Sequence, residues 1–285
     1  MQAIKNPPYI WLISGCSSGF GRELALKALS MGDFVGVSSR KIEDIEDICN
    51  QYPETSVAIT LDVTKKQDIN QSIETITKTF GGLDVLVNNA GYGYLAAIEE
   101  GEDEEVRKLF ETNFFGALEL TKAALPGMRS QKFGRIINNS SQAGIMANPG
   151  TGYYSSSKFA LEGLMEALDK ELRPLNIAVT SVQPGAFRTD WSGRSMKRSK
   201  NEIPDYQEHV KERIDMISAI DGKQPGDPVR AAKIIFELTR NQNPPNKLLL
   251  GAGVLQTYKE KLKALNKQID EFEEITLSAD FPKTD

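Results

Sequence analysis

Histidine is almost missing from this chain of 285 residues: His209 stands alone, beside two cysteines, Cys16 and Cys49. Two cysteines build neither a disulfide framework nor a zinc site, and a single imidazole rules out a histidine-based metal cluster. A reducing compartment suits the two thiols, which read as small buried or half-buried residues. His209 lies in the polar run Asp205-Tyr206-Gln207-Glu208-His209 and reads as solvated. No apolar run approaches the ~20 residues needed to span a bilayer. The first eight residues lack the basic start and apolar stretch of a signal peptide, so the cytoplasm is the expected location. Charge is short of any bias: 34 Lys and Arg against 39 Asp and Glu leave a net charge of −5. That balance offers nucleic acid and anionic membranes no handle. What is present is 40% hydrophobic content, enough for one large core in a single domain.

Short apolar runs alternate with helical patterns. Residues 9–13 read as a strand, stop at Ser14-Gly15-Cys16-Ser17-Ser18-Gly19-Phe20-Gly21, and give way to a helix over 22–31. Gly15 permits a tight turn, Gly19 and Gly21 permit close backbone approach, and free N–H groups at the helix start can bind a pyrophosphate. Three residues separate the first two glycines, where the G-x-G-x-x-G fingerprint has one. The same residues match G-x-S-x-G, which would make Ser17 a hydrolase nucleophile; that reading needs a histidine, and His209 is the sole candidate. Further strands are expected at 34–40, 56–62, 83–87, 135–141, 177–182 and 247–250. The architecture that follows is an α/β fold: a doubly wound (Rossmann) sheet of seven parallel strands with helices on both faces.

Ligands of such sheets sit at the carboxyl ends of the strands. Asp62, Asn89, Ala90 and Gly91 belong on that rim. The second strand ends Ser38-Ser39-Arg40-Lys41, without the acidic residue that would accept a ribose 2′-hydroxyl. Hydroxyls and a guanidinium suit a 2′-phosphate instead, which favours NADP(H) over NAD(H). Tyr154 and Lys158 are four apart in a helical segment over 153–172 and share a face. A cation beside a phenol favours its ionised form, so Tyr154 could serve as general acid or base. Ser141, at a strand end, could hold a carbonyl oxygen. Asn113 interrupts the stripe Leu109, Ala117, Thr121, Leu125, and a buried amide needs partners: it either accompanies a local distortion or serves the site.

In this order the motifs resemble those of short-chain dehydrogenases/reductases. The resemblance covers about 180 residues through Ser14-Gly15-x-x-x-Gly19-x-Gly21, Asn88-Asn89-Ala90-Gly91, Asn113, Ser141, Tyr154-x-x-x-Lys158 and Pro184-Gly185-x-x-x-Thr189. The wording of the first turn and the Ser-Arg end of strand two are similar to NADP-preferring hydroxysteroid and retinol dehydrogenase-like members. Ser14 departs from the family's usual Thr. The resemblance implies Tyr154 as acid in reduction and base in oxidation, and Ser141 as holder of the substrate oxygen. It implies Lys158 as the ribose ligand that lowers the Tyr154 pKa, and Asn113 as holder of a relay water. The implied cofactor contacts are Gly15, Ser17, Ser18, Gly19, Phe20, Gly21, Ser39, Arg40, Asp62, Asn89, Ala90, Gly91, Tyr154, Lys158, Pro184, Gly185 and Thr189. No metal is implied. A small-molecule carbonyl or alcohol, apolar and steroid-like or long-chain, would be the substrate of a homodimer or homotetramer. The alternative is a dinucleotide sensor on the same fold, which would have no use for a proton donor.

Three regions lie outside those motifs. A substrate-loop insertion at about 190–226 contains the cations Arg194, Lys197, Arg198 and Lys200, which could attract an anionic substrate, and Trp191, Met196, Ile214, Met216 and Ile217, which could line an apolar pocket. Small residues Ala160, Gly163 and Ala167 suggest helix packing against a partner subunit. The oxidoreductase domain would occupy 1–253 and an amphipathic helical tail 254–285. In that tail Leu255, Tyr258, Leu262, Leu265, Ile269 and Phe272 form a heptad seam expected to dock on its own domain or on a neighbouring subunit.

Overall fold

Strand β1 (Ile10–Ile13) is buried at every position, as a strand covered on both faces must be. It lies mid-sheet because its apolar run leaves no polar face to give to water. The computed structural model describes residues 5–281 except Ser192 and Arg194. Around β1 run β2 (Phe34–Ser39), β3 (Ser56–Thr60), β4 (Val85–Asn88), β6 (Gly134–Asn139), β7 (Ile177–Pro184) and β9 (Lys247–Leu250), in the order β3-β2-β1-β4-β6-β7-β9. All six pairings in this sheet are parallel, as the alternation of strands and helices requires. The order reverses between β1 and β4, so the crevice of a doubly wound sheet opens there.

Two cores flank the sheet. On one face α1 (Gly19–Ser30) and α8 (Pro228–Thr239) bring Leu24, Ala28, Ala231 and Ile235 against Trp11, Val35 and Val85. The other face packs α3 (Lys66–Phe80), α5 (Ala117–Gln131) and α6 (Gly152–Leu172), with Ile76, Leu120 and Met165 meeting Leu12, Leu86 and Ile136. Residues i and i+2 of each strand therefore belong to different layers from their neighbours, as the pleat dictates.

Two features had no counterpart in the sequence pattern. Between α4 (Asp103–Phe110) and α5 the chain takes a π-helical turn, Glu111–Gly116, which holds Asn113; such turns recur at functional sites. A second sheet, of β5 (Gly93–Leu95) and β8 (Met196–Arg198), ties the start of the insertion to the main domain by a parallel pair. The insertion continues through α7 (Glu212–Ala219).

The tail narrows one expectation. Helix α9 (Ala252–Leu277) buries only Val254 among its residues. It stays on the domain through Thr257, which accepts from Gln142 Nε2 at 3.4 Å, and Lys261, which donates to the Ile145 carbonyl and lies 5.2 Å from the Phe159 ring centroid. Leu262, Leu265, Ile269 and Phe272 are 41–64% exposed, so that part of the seam does not dock on its own domain.

Candidate active site

One cleft of about 1240 Å³ runs along the carboxyl ends of the strands. That is larger than the ~300–1,000 Å³ of a typical single-ligand pocket. At one end it is walled by Gly15, Ser17, Ser18, Gly19, Phe20, Ser39, Arg40 and Asp62; Asn89, Ala90, Gly91, Pro184, Gly185 and Thr189 continue it; Ser141, Tyr154 and Lys158 lie at its heart. Gly21 and Asn113, both expected at the site, do not line it. Each stands one layer behind.

The nucleotide end is assembled from backbone. Gly15 has φ +75°, a left-handed conformation that other residues resist. A side chain on Gly21 would collide with the Gly15 carbonyl and come within 2.5 Å of Asn89 Nδ2, so Gly21 serves the packing of α1 against the turn. Asn89 Nδ2 donates to the carbonyls of Ser14 and Gly15, each at 2.9 Å. Ser14 Oγ accepts from the N–H groups of Asn89 and Ala90 at 2.9 and 3.0 Å, so serine bonds the neighbouring backbone as expected. Ser18, the residue before α1, makes no side-chain cap, leaving the first N–H groups of the helix to a ligand. Arg40 is exposed. Asp62 Oδ1 is taken by the Thr64 N–H at 3.0 Å and hydroxyl at 2.7 Å; the turn-forming role is thus present, at a position that also faces the cleft.

At the centre, Tyr154 and Lys158 share the buried face of α6. Lys158 Nζ donates to the Asn139 carbonyl at 2.8 Å and lies 5.8 Å from the Tyr154 ring centroid. Burial pushes the Tyr154 phenol up to about 12, against hydrogen bonding with Ser141 and Trp191 that pulls it down. Lys158 is not among the groups that pull the phenol down. The ammonium sits over the ring face, and burial brings Lys158 itself down to about 8 while Glu162 opposes that fall. Ser141 Oγ accepts from the Ala143 N–H at 3.0 Å, and its hydroxyl hydrogen-bonds the Tyr154 phenol. Tyr153 turns away, its hydroxyl donating to the Ile98 carbonyl.

Asn113 is 2% exposed and clamps Tyr92: Oδ1 accepts from the Tyr92 N–H at 3.0 Å, and Nδ2 donates to the Tyr92 carbonyl at 2.9 Å and to Ser157 Oγ at 3.2 Å. Distortion and site thus coincide, since a Cβ placed on Gly91 would lie 3.0 Å from Asn113 Oδ1 and 3.7 Å from Lys158 Nζ.

The insertion forms the far wall. Trp191 and Ile217 line the cleft, whereas Met196 and Ile214 pack with Leu95 and Val210 in a small core of their own, and Met216 faces solvent. Two of the four loop cations are paired within the fold. Lys197 Nζ meets Glu105 at 2.6 Å, and Arg198 meets Asp215 at 3.2 Å and Ser218; Lys200 is exposed, and Arg194 is outside the described residues. Tyr92, Met146, Asn148, Thr151, Arg213, Ile220 and Gln224 also line the cleft; no motif marks them. His209 is exposed and away from Ser17, which leaves the hydrolase reading without a base. Cys16 is buried, Cys49 half-buried, and both are free thiols. Among the described residues no helix is long and apolar enough to cross a membrane.

Comparison with known proteins bears on this geometry. The short chain dehydrogenase family profile matches residues 10–200. The 3-ketodihydrosphingosine reductase of Bacteroides thetaiotaomicron is 36% identical over 246 residues, covering 86% of this chain and 88% of its own. A crystal structure of a short-chain dehydrogenase from Streptomyces avermitilis superposes with TM-score 0.90 at 37% identity, over 96% of this chain and 100% of that one. The structure of ElxO with NADP bound superposes with TM-score 0.72 at 29% identity, over 88% and 100%. Strand order, glycine turn and matched length agree: the chain belongs to the short-chain dehydrogenase/reductase family and is an oxidoreductase.

Proposed function

We propose that this protein is an NADP(H)-dependent oxidoreductase that interconverts a carbonyl and an alcohol on an apolar long-chain or steroid-like substrate, with Tyr154 as general acid/base. The observation that carries the reading is the burial of Tyr154 and Lys158 together on one face of α6, inside a cleft that also contains the glycine turn. The residues present fit a dinucleotide. The room kept open at Gly91 beside Asn113 and Lys158, and the uncapped start of α1, are cradles for a ribose and a pyrophosphate. Ser39 and Arg40 would receive the 2′-phosphate, a charge-assisted contact that NAD(H) cannot make. When bound, the nicotinamide supplies or accepts the hydride.

The chain's own residues do the rest. Ser141 would hold the substrate oxygen through its hydroxyl, which the Ala143 and Tyr154 contacts place in the cleft. Tyr154, held up at about 12, carries its proton at neutral pH and can deliver it to that oxygen during carbonyl reduction. Lys158 binds the ribose and stabilises the phenolate left behind. Asn113 fixes the Tyr92 backbone beside Lys158 and would keep a relay water in line. The printed substrate of the Bacteroides relative, a ketodihydrosphingosine, supports a long-chain carbonyl here. We also propose a cytoplasmic homo-oligomer, with exposed Gly163 and Ala167 of α6 on a packing face.

The test is NADPH consumption over a panel of ketosteroids, retinal, long-chain ketones, aldehydes and sugars. Turnover of an apolar ketone that vanishes in Tyr154→Phe, with NADPH binding intact, is expected. Turnover surviving in Tyr154→Phe would remove the mechanism.

A further inference from the structure

Five guanidinium groups pair with carboxylates: Arg22 with Asp47, Arg173 with Asp169, Arg198 with Asp215, Arg230 with Asp227 and Arg240 with Asp33. Arg213, the second residue of α7, makes no such pair among the described residues. It lines the cleft and is half-buried, and its Nε is shielded from solvent without a hydrogen-bond partner. The other cations near that end are spent, Lys108 on Glu104 and Glu105 and Lys197 on Glu105. A half-buried arginine that makes no ion pair is an incomplete fork. The cleft it lines presents apolar or aromatic Met146, Trp191, Ile217 and Ile220 beside polar Asn148, Asp190 and Gln224, and a neutral steroid-like ligand would leave the Arg213 charge uncompensated.

We propose that the substrate carries an oxyanion, a carboxylate, phosphate or sulfonate, on an aliphatic body, and that Arg213 is its receptor. This rests on the reductase reading and narrows its substrate class. It also moves anion recognition from the loop cluster 194–200, where the sequence placed it, to the lid helix. The test is calorimetric titration of the NADP⁺-saturated protein with decanoate, decyl phosphate, decanesulfonate and decanol. At least one anion is expected to bind about 10-fold more tightly than decanol. That preference should disappear in Arg213→Ala, survive in part in Arg213→Lys, and persist in Tyr154→Phe. Equal affinity for anion and alcohol, no binding of any anion, or a preference kept by Arg213→Ala would overturn the proposal. Loss of the reductase reading has a separate signature, turnover unchanged in Tyr154→Phe, and leaves the anion preference standing or falling on its own.

A second observation is independent of the cleft. The seam of α9, Leu255, Tyr258, Leu262, Leu265, Ile269 and Phe272, alternates spacings of three and four, and from Leu262 onward its described residues are exposed. Charge along the helix is polarised: residues 259–267 hold four lysines and one glutamate, residues 268–280 five acids and no base. Side by side and parallel, two copies would stack lysines on lysines. Antiparallel, Leu262 meets Phe272 of the partner subunit, Leu265 meets Ile269 of the partner subunit, and Lys259 falls opposite Glu273 of the partner subunit, in the flanking positions that set orientation. We infer that α9 is an antiparallel self-association helix whose occupant is a second copy of this chain. Sedimentation should give the variant Leu262→Lys/Ile269→Lys half the mass of wild type, with the melting midpoint of the domain unchanged. Lys259→Glu should weaken association about five-fold, and adding Glu273→Lys should restore it. Equal masses, or a charge swap that fails to restore, would overturn the inference. So would binding to anionic vesicles that the double-lysine variant loses without a change of mass, since a lipid surface would then be the occupant.

Discussion

The two ends of the cleft are built by different physics. At the nucleotide end the walls are backbone: strand ends fixed by the parallel register, a glycine in the left-handed region, and amide bonds from Asn89 to Ser14 and Gly15. At the lid end the walls are side chains on short helices, held by ion pairs such as Lys197–Glu105 whose members are 50% and 24% exposed. Buried backbone bonds fail expensively, while half-exposed ion pairs contribute little. Chemistry is therefore conserved at one end by construction, and specificity at the other can vary without unfolding the sheet.

The largest effect should come at the junction. Tyr154→Phe is expected to lower kcat by roughly 10²–10⁴-fold, with NADPH affinity from fluorescence titration unchanged; a smaller loss would shift the proton donor elsewhere. Next, Gly21→Ala overpacks the turn and should cost about 1–3 kcal/mol, read as a lower melting temperature and weaker NADPH binding. Arg40→Ala should cost NADPH about ten-fold in affinity while leaving NADH alone, so that the two cofactors converge. The pH profile gives a subtler contrast. Lys158 is charged below about 8 and Tyr154 protonated below about 12, so carbonyl reduction should hold at neutral pH and fall as pH rises through about 8. Glu162 favours the charged lysine; Glu162→Gln should move that falling limb to lower pH, whereas an unmoved limb would assign it to another group. Smallest of all, Lys197→Ala removes a half-exposed pair worth about 1 kcal/mol at most, and KM should change by less than about five-fold.

The same division explains what could be read from the chain. The seven strands of the main sheet were legible because each is a short apolar run between turn residues, and β9 was expected at the residues it occupies. Tyr154, Lys158 and Ser141 were legible because their chemistry needs fixed spacing. The β5–β8 pair was not, since three-residue strands about a hundred positions apart leave no periodic signal. Asn113 showed itself as an anomaly in an apolar stripe, but the π turn that explains it has no sequence signature of its own. Arg213 was missed because in the sequence it is one cation among many, and only the fold shows that it is half-buried at the cleft wall with its Nε unpartnered. The α9 seam was legible as a pattern, and the sequence left open whether its own domain or a neighbouring subunit covers it, because periodicity records a face and says nothing of what lies across from it.

The β5–β8 pairing has a use beyond holding the lid. Met196–Arg198 is joined to Gly93–Leu95 through main-chain bonds, which makes little demand on side-chain identity. From Ser199 to the Asp227 cap of α8, the chain is bracketed by two attachments that any insert could inherit. The molecule thus offers a graft site: residues 199–226 could be exchanged for a lid of another length, and a library of such chimeras would vary the clientele of a single reaction centre.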